Sequence, residues 1–122
     1  MRVLFVEPGK YPREDVIESG LEALQKAVDG NIEVAYPWEE PAALICNDEG
    51  KILGLPLNRA LYEDGEMYDI VAGTFLVVGL TEEGFGDLSP DLIGHFKELF
   101  GAPEMFVRVG REIKAMKAGR IS

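Results

Sequence analysis

At 122 residues, 47% of them hydrophobic and 28% charged, the chain has the makings of one globular domain with an ordinary core, and it is neither polar enough to stay disordered nor apolar enough to live in a bilayer. Its 12 Lys and Arg against 22 Asp and Glu give a net charge of -10, a field that repels phosphate backbones and argues against direct nucleic-acid binding. A single cysteine, Cys46, excludes an intrachain disulfide and a thiolate zinc site and fits a reducing compartment. The apolar stretch before Glu7 and Pro8 is too short for a signal core or a membrane helix, so a cytoplasmic location without membrane contact is expected.

The apolar run over residues 2–7, closed by Pro8 and Gly9, predicts a buried first strand, and residues 15–18 a brief second extended piece. Ser19 followed by Glu22 has the form of a capping box, Leu21, Leu24 and Val28 recur at helical spacing, and Gly30 supplies a left-handed stop, so a helix is predicted over 20–29. Ile32, Val34 and Tyr36 alternate with Glu33 and Ala35 as in a strand with one wet face, ended by Pro37.

Two hairpins are predicted next. Residues 43–46 and 51–55 flank the turn-forming Asn47, Asp48, Glu49 and Gly50; residues 58–62 and 67–78 flank Glu63, Asp64 and Gly65. Gly73 marks a bulge or bend in the long second arm. Ser89, Pro90 and Asp91 form a helix start, followed by Leu92, Ile93, Phe96, Leu99 and Phe100 on one face and by Gly101 and Pro103 as a stop. Residues 105–109 read as an edge strand. The remaining tail, with Ile113 and Met116 on one side and basic residues on the other, reads as a short helix or an unstructured terminus.

Together these elements predict an α+β domain over residues 1–104, a mainly antiparallel sheet of about five strands with two helices packed on one face, and a basic extension over 105–122. Phe75, Leu76, Val77, Val78, Leu92, Phe96 and Phe100 are the expected core. The extension carries Arg108, Arg111, Lys114, Lys117 and Arg120 against Glu112, a charge of plus four that leaves minus fourteen on the rest.

Six stretches, residues 6–10 (VEPGK), 21–25 (LEALQ), 32–37 (IEVAYP), 43–51 (ALICNDEGK), 54–61 (GLPLNRAL) and 68–75 (YDIVAGTF), resemble in order the domain-of-unknown-function family DUF3846 of phages, prophages and Gram-positive bacteria. The resemblance implies a mobile-element setting and carries over no catalytic residues.

No phosphate loop, nucleophile elbow, paired-histidine zinc helix or dinucleotide fingerprint is present, so neither catalysis nor a metal or other cofactor is expected. An enzyme would have to use His95, the sole histidine, or a carboxylate pair such as Glu82 and Glu83. Two binding readings remain. In one, acidic doublets in turns, among them Asp48, Glu49, Glu63, Asp64, Glu82 and Glu83, form an anionic face that contacts a basic host protein, as an inhibitor of a host process or defence system would. In the other, Asn58 and Arg59, with Lys10, form a pocket for a small nucleotide-like anion. The basic tail offers a route to homo-oligomers by docking on the acidic body of a second copy.

Overall fold

Unbroken apolar runs, unlike alternating ones, mark strands that are covered on both faces. Three such runs, residues 3–6, 42–45 and 75–78, lie side by side at the centre of one sheet in a computed structural model that describes residues 1–117. In chain order the elements are β1 (Arg2–Val6), β2 (Arg13–Val16), α1 (Leu21–Val28), β3 (Ile32–Ala35), β4 (Ala42–Asn47), β5 (Leu57–Glu63), β6 (Glu66–Ala72), β7 (Phe75–Thr81), β8 (Gly84–Gly86), α2 (Pro90–Leu99), β9 (Glu104–Val109) and β10 (Glu112–Lys117).

The main sheet is antiparallel throughout, in the order β2-β1-β7-β4-β3, with β8 hairpinned onto β7. Val77 of the central strand pairs with both Leu4 and Leu44. Two further pairs, β5 with β6 and β9 with β10, form separate two-stranded ribbons. The fold is therefore α+β with a main antiparallel sheet. Among the described residues no helix is long and apolar enough to cross a membrane.

The helices do not share a face. Val3, Phe5, Ala43, Ile45, Leu76 and Val78 pack under Leu24 and Val28 of α1. Leu4, Val6, Leu44, Phe75 and Val77 pack under Ile93 and Phe96 of α2, with Phe100, Leu61 and Val71 completing that side. This corrects the expectation of one helical layer. Successive strand residues point to opposite sides, so strands that are apolar at every position present two faces to be buried, and each takes one helix. Of the expected core only Leu92 is half-buried.

Local chemistry behaves as predicted where the signal is short-range. Ser89 Oγ accepts from Leu92 N–H at 3.3 Å and Pro90 opens α2. Asp64 (φ 52°) and Gly65 (φ 80°) form the β5–β6 turn, where consecutive left-handed residues match the twist of the flanking strands. Gly73 (φ 81°) does more than bend an arm: the chain leaves the ribbon there and enters the main sheet as β7.

Four expectations are overturned. The Ser19 capping box does not form: Gly20, at φ 111° and ψ 167°, occupies the N-cap in a conformation open to glycine, and no side chain caps the helix. At the other end the left-handed residue is Asp29 (φ 58°), not Gly30. Asn47 Nδ2 donates to Val28 O and Asp29 O there, and a Cβ at Gly30 would sit 2.6 Å from that nitrogen. The hairpin over residues 43–55 is also absent. Both edges of β4 are taken by β3 and β7, so residues 51–55 find no free edge and coil into turns closed by Leu53 N–H to Glu49 O and Leu55 N–H to Gly50 O. Finally, the tail is a strand as far as Lys117, turned back along β9 at Gly110 (φ 64°). Ile113 and Met116 would share a helical face at that spacing, but they take opposite faces of β10. Arg120 lies outside the described residues.

Candidate functional site

Asn58 and Arg59 are neighbours on β5, where alternation would send one outward, yet both are fully buried. A register irregularity between Leu57 and Arg59 turns both inward. Asn58 Nδ2 donates to Val6 O at 2.8 Å and Gly73 O at 2.9 Å, tying the end of β1 to the point where the chain changes sheets. Arg59 has five N–H donors, and all five bond to the chain. Nε and one Nη2–H reach Phe100 O at 3.2 and 3.1 Å, the other Nη2–H reaches Lys10 O at 2.7 Å, and Nη1 takes Asn58 O and Oδ1 at 3.2 and 2.8 Å.

The trio of Asn58, Arg59 and Lys10 is thus brought together, but as a filled joint. Lys10 contributes its carbonyl, while its ammonium stands at the surface 3.6 Å from Glu7. No donor of Arg59 is left for a ligand, which corrects the small-anion pocket expected there. Burial lowers the Arg59 pKa and Glu104 opposes the shift.

The acidic doublets occupy turns but not one face. Because β7 runs antiparallel to β1 and β4, Glu82 and Glu83 leave the sheet at the end where β4 begins, beside the Leu80 N–H to Pro41 O bond. Asp48 and Glu49 leave at the opposite end, after β4, and Glu63 and Asp64 lie at the tip of the β5–β6 ribbon. His95 is exposed on α2 with its ring 4.8 Å from Phe96. Cys46 lines a cleft of about 270 Å³ between β4 and β6 with Glu33, Asp48 and Asp69. Burial first, and then Glu33, Asp69 and Asp48 with Lys51 opposing, push its thiol up to about 11. That thiol is protonated at neutral pH and is a poor nucleophile.

A different group of residues forms a cleft with aromatic walls and a buried acid. Trp38 follows β3 and packs its ring 4.4 Å from Phe96 and 6.0 Å from Phe100. Facing it across a space of about 190 Å³ are Tyr62 of β5, Tyr68 of β6 and, from β9, Glu104. The Glu104 side chain is 7% exposed. Its Oε1 accepts the Ala60 N–H at 3.2 Å, while its Oε2 lies 4.0 Å from Arg59 Nε, beyond hydrogen-bond range. Burial holds the Glu104 carboxyl above the usual carboxylate range, against the Ala60 amide, Arg59 and Lys117, which pull it down. Burial, followed by the Glu104 charge, also raises the Tyr62 hydroxyl.

Sequence reasoning missed this cleft because its parts are spread from residue 38 to residue 117. The one signal available was an acid, Glu104, opening an apolar strand and sharing a face with Phe106.

No curated protein and no solved structure matches the chain. The family described as Domain of unknown function (DUF3846) does match, over residues 1–101, the stretch that holds the whole main sheet, both helices and the Asn58–Arg59 joint, and the chain belongs to that family.

Proposed function

We propose that this domain is a binding protein without catalytic turnover, encoded by or derived from a mobile element, whose acidic body engages a basic host protein and interferes with its action. The observation that supports this reading is the charge partition: minus fourteen lies on residues 1–104 and plus four on residues 105–122. The acids stand mostly at the surface around a closed core, on strands and helices as well as in turns. Because the doublets are distributed, the body acts through its summed field and not through one imitation of a phosphate backbone. Such a field speeds encounter with a basic surface and selects against acidic ones. Neither the Cys46 thiol, which is protonated, nor Arg59, whose donors are all engaged, is available for turnover.

The test is titration with an oligoarginine peptide and an oligoglutamate peptide of equal length, at about 0.1 M and about 1 M salt, over which the Debye length shrinks from roughly 10 Å to 3 Å. Binding of oligoarginine alone, weakening steeply with salt, is expected. Equal binding of the two peptides, or a salt-independent affinity, overturns the proposal.

A further inference from the structure

We infer that the cleft between Trp38, Tyr62, Tyr68 and Glu104 is an anchor site for one arginine or lysine side chain of a partner protein. The inference rests on the reading of the domain as a binder of basic proteins and gives it a specific point of attachment.

Four features carry it. The walls are aromatic, and aromatic faces attract cations. The floor is a carboxylate with one oxygen on the Ala60 amide and the other short of any hydrogen bond to Arg59, whose own donors are spent. A carboxylate accepts at about four lone-pair positions, so Glu104 retains acceptor capacity toward the cleft. A space of about 190 Å³ is smaller than the roughly 300–1,000 Å³ of small-molecule sites and suits a single side chain. Around it Tyr62, Tyr68 and Leu99 are 54%, 51% and 46% exposed, an apolar rim on which the rest of a protein partner can rest.

The chain also supplies a stand-in for the ligand. Lys117 pairs with Glu104 across the β9–β10 ribbon and lines the same cleft, and its charge favours the ionised carboxylate, but it lies outside ion-pair distance. A partner's longer or better-aimed cation displaces it. Lys117 is therefore a resident competitor, and its removal strengthens binding.

Trp38 is the only tryptophan, so its emission reports on the cleft directly. The probe is Nα-acetyl-arginine amide, with the uncharged Nα-acetyl-citrulline amide as isostere. The arginine probe should change Trp38 emission saturably and bind about two- to five-fold tighter than the citrulline probe, the scale of an exposed cation–π contact. Tyr68→Ala, at a surface position, should weaken it about five-fold, Glu104→Gln should weaken it further, and Lys117→Ala should tighten it. Equal response to both probes, or indifference to Tyr68→Ala and Lys117→Ala, overturns the anchor even if Glu104→Gln fails to fold. Salt-sensitive oligoarginine binding without any Trp38 response overturns the anchor alone. A Trp38 response without oligoarginine binding overturns the broader reading alone.

Discussion

Replacing Arg59 with alanine tests whether the buried joint is structural. The substitution removes five N–H donors and strands Phe100 O, Lys10 O, Asn58 O and Asn58 Oδ1, each of which loses a bond from a charged group. It also leaves Glu104 buried without its counter-ion at 4.0 Å. An unsatisfied buried acceptor costs about 1–3 kcal/mol, and removing one partner of a buried pair costs about 3–5 kcal/mol. These terms overlap, and water entering the vacated space satisfies some acceptors, so the expected loss is about 4 kcal/mol out of a total stability of about 5–15 kcal/mol. Urea unfolding followed by Trp38 emission and circular dichroism measures it. Arg59→Lys keeps the charge but offers three donors on a flexible stem in place of a planar fork, so it should lose about 1–3 kcal/mol. If Arg59→Ala costs under about 1 kcal/mol, water already reaches those acceptors, and the guanidinium is available to a ligand after all.

Four further outcomes follow from the same structure. Because burial raises the Glu104 pKa, the folded chain holds a proton that the unfolded chain has released just above the ordinary value of about 4.3, so this group makes stability fall as pH rises through that window. Comparing urea midpoints of the wild type and Glu104→Gln from about pH 4 to 7 isolates the effect, and an unchanged slope in the variant would refute it. With its thiol at about 11 against 9.0 for an unperturbed one, Cys46 should react with iodoacetamide at pH 8 about a hundred-fold more slowly in the folded chain than in urea, and comparable rates would contradict the burial argument. A Cβ on Gly79 would lie 2.1 Å from the Asp87 carbonyl oxygen, so Gly79→Ala should cost about 3 kcal/mol or more. Gly94→Ala, on the open face of α2, should gain about 0.5–1 kcal/mol, and thermal melts of the two variants shifting the same way would show the strand contacts to be misplaced.

What the sequence discloses and what it hides divide along the range of the interactions. Ser89, Pro90 and Asp91 specify a helix start among themselves, and Asp64–Gly65 specifies a turn whatever surrounds it, so both can be read in place. Strand partnership cannot be read that way. Asn47, Asp48, Glu49 and Gly50 have good turn chemistry, yet the strand before them pairs with β3 and β7, which begin 10 residues earlier and 33 later. The opposed helices were legible in principle, since residues 3–6, 42–45 and 75–78 lack the alternation that a sheet with one wet face requires. Arg59 was singled out for its rigid fork of donors and read as part of a small-anion pocket. Its partners are the carbonyls of Lys10 and Phe100, 49 positions before and 41 after, and no local pattern encodes a backbone oxygen. The same reasoning explains the cleft. Glu104 is ordinary in sequence and becomes unusual only when β9 folds against β5 and carries it beneath Trp38 and the two tyrosines. The candidate site is therefore a property of how the C-terminal ribbon joins the body, and any change that loosens the Arg59 joint should disturb the anchor cleft as well.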